Sequence, residues 1–65
     1  MPYVNIKITD ENVSVEDKQR LITGVTDLLE QVLNKNPRTT VVVIEEIPLE
    51  NWGINGQSVV NLPRN

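Results

Sequence analysis

The sequence predicts an α+β fold: a β-α-β unit with two parallel strands, a right-handed helical crossover and a short C-terminal β-hairpin, completed by oligomerisation. Three observations lead there. Residues 2–9 alternate between apolar and polar, residues 14–37 carry helical apolar spacing between start and stop signals, and residues 39–47 form a β-branched run. Two strands joined by a helix of this length lie parallel, with a right-handed crossover.

The first strand places Val4, Ile6 and Ile8 on one face and Tyr3, Asn5 and Lys7 on the other. That is the period of a half-buried strand. Pro2 has no N–H for a ladder, and is tolerated at the first strand position. The stretch "TDENV" supplies turn chemistry. Ser14 is a good helix N-cap, and Glu16 and Asp17 put negative charge in the first turn, where the helix dipole favours it. Leu21, Val25, Leu28 and Val32 form an apolar stripe, widened by Ile22, Leu29 and Leu33. Gly24 interrupts it at a cost of about 1 kcal/mol relative to alanine, which suggests close packing against a sheet. Pro37 pushes Asn36 out of helical space and ends the helix.

The second strand, Thr39–Ile47, is apolar on both parities from Val41 to Ile44, as in a strand buried on both faces. One helix covers one face only, so the other calls for a second subunit. After Pro48 come a loop containing Trp52, a hairpin at Asn55-Gly56, a short Val59–Val60 run and a tail.

The 65 residues make one domain, 1–65, too short for a large core. Small folds add disulfides, a metal or oligomerisation. With no cysteine and no histidine, disulfides are excluded and no zinc site is expected. The net charge is −3, no basic run occurs, and the aromatics are Tyr3 and Trp52, so phosphate neutralisation and base stacking both lack material and no nucleic-acid partner is expected. No apolar stretch approaches the about 20 residues that span a bilayer, and no signal-peptide pattern opens the chain. The expected location is cytoplasmic, with no membrane partner.

The commonest general base and the commonest thiol nucleophile are both missing. The adjacent carboxylate pairs Asp10/Glu11, Glu16/Asp17 and Glu45/Glu46 point in different directions and make no shared-proton dyad. Glu45 and Glu46 end an apolar strand, where a salt-bridge role outweighs a catalytic one. The "GING" stretch is no phosphate loop, because the following lysine and hydroxyl residue are missing. Pro2 remains: if Met1 is removed, its ring nitrogen becomes a free secondary amine.

Proline at position 2 opening an amphipathic strand, a helix, a "P-x-T-x-V" entry (Pro37, Thr39, Val41) into an apolar strand, and then "WGING" together resemble the 4-oxalocrotonate tautomerase (2-hydroxymuconate tautomerase-like) family of the tautomerase superfamily. The resemblance covers nearly the whole chain. It implies a β-α-β unit assembled into a homo-oligomer, a hexamer first and a dimer or other assembly second. It implies cofactor-independent keto–enol isomerisation of a small 2-oxo/enol acid, with Pro2 as general base once Met1 is removed, and Trp52 as an apolar pocket wall. Lyase or hydratase chemistry from the same proline is adjacent to that reaction.

The chain departs from the family where two arginines would grip substrate carboxylates, at Val13 and Val42. Arg38 shares strand parity with Val42, but four strand residues span about 13 Å, too far for it to replace that side chain. Lys7, Arg20 and Arg64 are the cations able to reach a pocket from a neighbouring subunit. The loss of both arginines keeps an alternative open: a non-catalytic oligomeric subunit that retains the fold.

Overall fold

The structure is a computed structural model that describes residues 1–62. β1 (Tyr3–Thr9) and β2 (Val41–Ile47) pair in parallel, from Tyr3↔Val41 to Thr9↔Ile47, with α1 (Val15–Leu33) between them. A turn of 3-10 helix, Pro37–Thr39, leads into β2, and a second, Leu49–Asn51, follows it. β3 (Gly53–Ile54) and β4 (Gln57–Ser58) form an antiparallel hairpin, and a third 3-10 turn spans Val59–Asn61.

The helix begins and ends as its sequence dictates. Ser14 is extended, and its Oγ accepts from the Asp17 N–H at 3.0 Å. Asn34 turns left-handed at φ 55°, its N–H reaching the Glu30 carbonyl at 2.9 Å. Asn36 is extended, as a residue before proline must be. In the hairpin turn, Asn55 and Gly56 both have positive φ, 53° and 77°, the backbone that suits the twist of a two-residue hairpin.

Two expectations need correction, and a third segment gains a definite shape. β2 begins at Val41 rather than Thr39, because Asn36 folds the preceding residues into a turn: its Oδ1 accepts from the Arg38 N–H at 2.9 Å and its carbonyl from the Thr39 N–H at 3.1 Å. The Val59–Val60 run, given no conformation by the sequence, opens a 3-10 turn capped by Ser58, whose Oγ accepts from the Val60 N–H at 3.3 Å. Gly24 makes no close approach to the sheet: a Cβ built there meets nothing within 4 Å.

The helix lies over the sheet face that carries Val4, Ile6 and Ile8 of β1 and Val42, Ile44 and Glu46 of β2. Lys18 of the helix fixes this side by contacting the Glu46 carboxylate. Ile22, Val25 and Leu29 are the half-buried apolar residues of the helix, with Lys18 and Thr26 also half-buried. Most of the apolar stripe lies off that line, leaving Leu21, Leu28 and Val32 at 39%, 57% and 68% exposure. The opposite sheet face presents Tyr3, Asn5, Lys7, Thr9, Val41, Val43, Glu45 and Ile47, tied across by Asn5 Nδ2 donating to Glu45 Oε1 at 2.8 Å.

One chain therefore closes only half of its fold. No described residue is fully buried, and the surface is 5184 Å² against about 4,200 Å² for a folded monomer of this mass. The radius of gyration is 14.9 Å, where a compact domain of this length has about 11 Å.

Two outcomes follow for stability, read by denaturant unfolding at one fixed protein concentration. Lys18→Met should cost about 1 kcal/mol, because it leaves the half-buried Glu46 carboxylate unpaired, and adding Glu46→Leu should restore most of the loss. Gly24→Ala should add about 1 kcal/mol through helix propensity; a loss instead would show that Gly24 meets another subunit.

Candidate active site

Parallel pairing sets where Pro2 sits. It precedes the first paired residue, Tyr3, and its carbonyl accepts from the Val41 N–H at 3.0 Å. Extending the register by one step puts it beside Thr40. The Pro2 ring is half-buried, while Met1 is 90% exposed. The residue that would have to be removed is thus held by no packing, and the residue that would be left is pinned through its backbone.

The loop beside Pro2 is tightly bonded. The Asn36 carbonyl accepts from Thr39 Oγ1 at 3.3 Å and Thr40 Oγ1 at 2.9 Å, and the Thr40 N–H reaches the Pro37 carbonyl at 3.3 Å. Arg38 is part of this loop. Two residues of 3-10 helix rise only about 4 Å, so Arg38, though too far along the chain to replace the Val42 side chain, stands at the same end of the molecule as Pro2. The Asn-Pro step followed by two threonines was the available sign of this turn: asparagine caps by accepting from the N–H two residues on.

Trp52 is at the other end. β2 carries the chain about 20 Å from Val41 to Ile47, and the 3-10 turn Leu49–Asn51 then leads into Trp52. Its N–H reaches the Leu49 carbonyl at 3.1 Å and its carbonyl accepts from the Val59 N–H at 2.9 Å. The hairpin packs chiefly on its flanking turns. Pro2 and Trp52 are therefore not brought together within one chain. The indole is half-buried, and its Nε1–H is shielded with no acceptor among the described residues.

Val42 is half-buried on the helix-facing side of the sheet, opposite Val4. Val13 lines an open concavity of about 470 Å³ with Asp17, Arg20 and Leu21. Arg20 there faces Asp17 at 3.6 Å, both side chains well exposed. Lys18 is engaged by Glu46, and Lys7 lies in register with Glu45 on the open sheet face. Arg64 lies outside the described residues. Glu46 takes the salt-bridge role expected of it, with Lys18, whereas Glu45 instead accepts a hydrogen bond from the neutral Asn5 amide. Among the described residues, no group of three or more carboxylates is placed to hold a metal ion, and no helix is long and apolar enough to cross a membrane.

The family relationship is direct. The tautomerase enzyme family model matches residues 2–61. The chain is 58% identical over 59 residues to a protein of Dickeya dadantii named probable tautomerase K2, covering 91% of this chain and 88% of that one. In three dimensions it is similar to the crystal structure of DmpI from Helicobacter pylori, with a TM-score of 0.85, 48% identity and 91% of each chain covered. It is also similar to a structure from the study of the 4-oxalocrotonate tautomerase isozymes of Methylibium petroleiphilum, with a TM-score of 0.87, 30% identity, and 97% and 100% of the two chains covered. A parallel β-α-β unit with a C-terminal hairpin, matched over nearly its whole length, makes this chain a member of the tautomerase family.

Proposed function

We propose that the chain is a keto–enol tautomerase of a small 2-oxo/enol acid, with Pro2 as general base after removal of Met1. The observation that carries this reading is the setting of Pro2: a half-buried ring, a carbonyl fixed by Val41, and a preceding methionine that is 90% exposed. The free amine nitrogen takes the enol O–H proton. The O–H electron pair becomes the carbonyl π bond, and the enol π bond shifts to carbon. The proton held on nitrogen is then delivered to that carbon, so the cycle returns the amine and consumes no other reagent. A base set among apolar groups has its charged form disfavoured, which brings its pKa toward the working pH, where proton transfer is most effective.

The site is composite. For Trp52 to wall the Pro2 pocket it must come from a second copy, because one chain holds the two at opposite ends. The open sheet face and the exposed line Leu21, Leu28 and Val32 are the surfaces that such an assembly covers. A related structure, 22% identical, comes from a study of a heterohexamer 4-oxalocrotonate tautomerase of Chloroflexus aurantiacus; for this chain we read a homo-oligomer, a hexamer first. The alternative, a non-catalytic subunit that keeps the fold, rests on the valines at positions 13 and 42.

Intact-mass spectrometry should give the mass of the chain without Met1. The processed protein should ketonise phenylenolpyruvate, and Pro2→Ala should lower the rate about 10²–10⁴-fold; equal rates would sink the proline mechanism, and rates no faster than in buffer for both proteins would favour the non-catalytic subunit. The rate should fall as pH drops through the amine pKa, since the protonated amine has no lone pair. Trp52→Ala should lower kcat/KM and move this acidic limb to higher pH, because removing an apolar wall eases the charged form and raises the amine pKa. A light-scattering mass equal to the monomer at micromolar concentration would overturn the composite site.

A further inference from the structure

We propose that Arg38 binds the substrate's carboxylate, and that it does so in the same chain as the Pro2 it serves. The proposal rests on reading Pro2 as the reacting group and adds the residue that orients the substrate against it. Three observations carry it.

The first is placement. Thr40 lies beside Pro2 across a strand spacing of about 4.8 Å, and Arg38 is two 3-10 residues, about 4 Å of rise, further back. Its backbone is therefore within about 10 Å of Pro2. That distance suits a small acid whose carboxylate meets the guanidinium while its enol meets the amine.

The second is rigidity. Asn36 anchors the loop through its side chain on the Arg38 N–H and through its carbonyl on both threonines. The loop then enters β2, whose first N–H holds Pro2. Base and cation thus belong to one hydrogen-bonded unit.

The third is availability. Arg38 is exposed and has no carboxylate within salt-bridge distance among the described residues, whereas Lys18 is held by Glu46 and Arg20 faces Asp17. An arginine fork can take both oxygens of a carboxylate and fix its orientation. Lys35 lies at the same end, but an ammonium on a flexible stem offers only a point charge.

The strongest rival is the concavity of Val13, Asp17, Arg20 and Leu21. It stands at the far end of the fold, and its arginine already has an acidic neighbour, so it would have to act from a second copy.

The test uses the processed, assembled protein and calorimetric titration with phenylpyruvate and its methyl ester, beside steady-state kinetics on phenylenolpyruvate. Arg38→Ala should weaken phenylpyruvate binding and raise KM at least tenfold, Arg38→Lys should recover part of the loss, and ester affinity should stay the same. The light-scattering mass of both variants should match the parent. Equal phenylpyruvate affinity in Arg38→Ala and the parent, equal losses for acid and ester, or the loss appearing in Arg20→Ala instead would each overturn the assignment. Acid-selective binding that depends on Arg38, in a protein without tautomerase activity, would uphold Arg38 as the carboxylate site while rejecting Pro2 as a base. A mixture of Pro2→Ala and Arg38→Ala chains, assembled together, should give no more than the average kcat/KM of its two components; a value well above that average would show that the two groups come from different chains and overturn the same-chain assignment.

Discussion

The parallel pairing of β1 and β2 is the constraint on which the rest depends. It joins the chain's first residues to a segment some forty residues later, and its first rung is the Val41 N–H on the Pro2 carbonyl. A parallel pair requires a crossover, and α1 supplies it. The crossover returns the chain to the end where it began, so the amino-terminal proline and the turn at Pro37–Thr39 become neighbours. The same pairing sends everything after β2 to the opposite end, Trp52 included. Proximity and separation in the proposed site both follow from one register.

A second constraint is area. Two strands and one helix enclose no core: no described residue is fully shielded, and the sheet face away from the helix keeps Tyr3 at 64% and Val41 at 40% exposure. At this chain length conformational entropy nearly cancels the hydrophobic gain, so covering that face is part of folding as well as of assembly. In the proposed assembly, association completes two things at once, the missing core and the missing half of the site. Under that reading, a chain with neither histidine nor cysteine gains a desolvated amine only when it assembles.

Much of this was legible in the sequence, for reasons that differ by element. The alternation of Val4, Ile6 and Ile8 and the cap at Ser14 are local signals, and they fall where the pattern places them. Asn55-Gly56 is legible for the same reason, since its backbone conformation is a property of those two residues. The buried line of the helix was not: Leu21, Leu28 and Val32 satisfy the same period as Ile22, Val25 and Leu29, and only the direction in which the helix meets the sheet decides between them. The candidate site was half legible. Pro2 stood out by elimination and by family resemblance, but its distance from Trp52 is a product of topology. The nearness of Arg38 follows from the parallel register, which sets Pro2 beside Thr40, and the turn capped by Asn36 tightens it by a few ångströms; neither is visible in the β-branched run read on its own.

Trp52 is the chain's single tryptophan, with an indole half-buried beside the hairpin, past the end of the paired strands. Its emission therefore reports on the surroundings of that end, whereas far-ultraviolet dichroism reports on the helix and sheet. In the proposed assembly that end meets a second copy, so the molecule carries an optical reporter of docking distinct from its reporter of secondary structure, and the two signals should move together wherever folding and assembly are coupled.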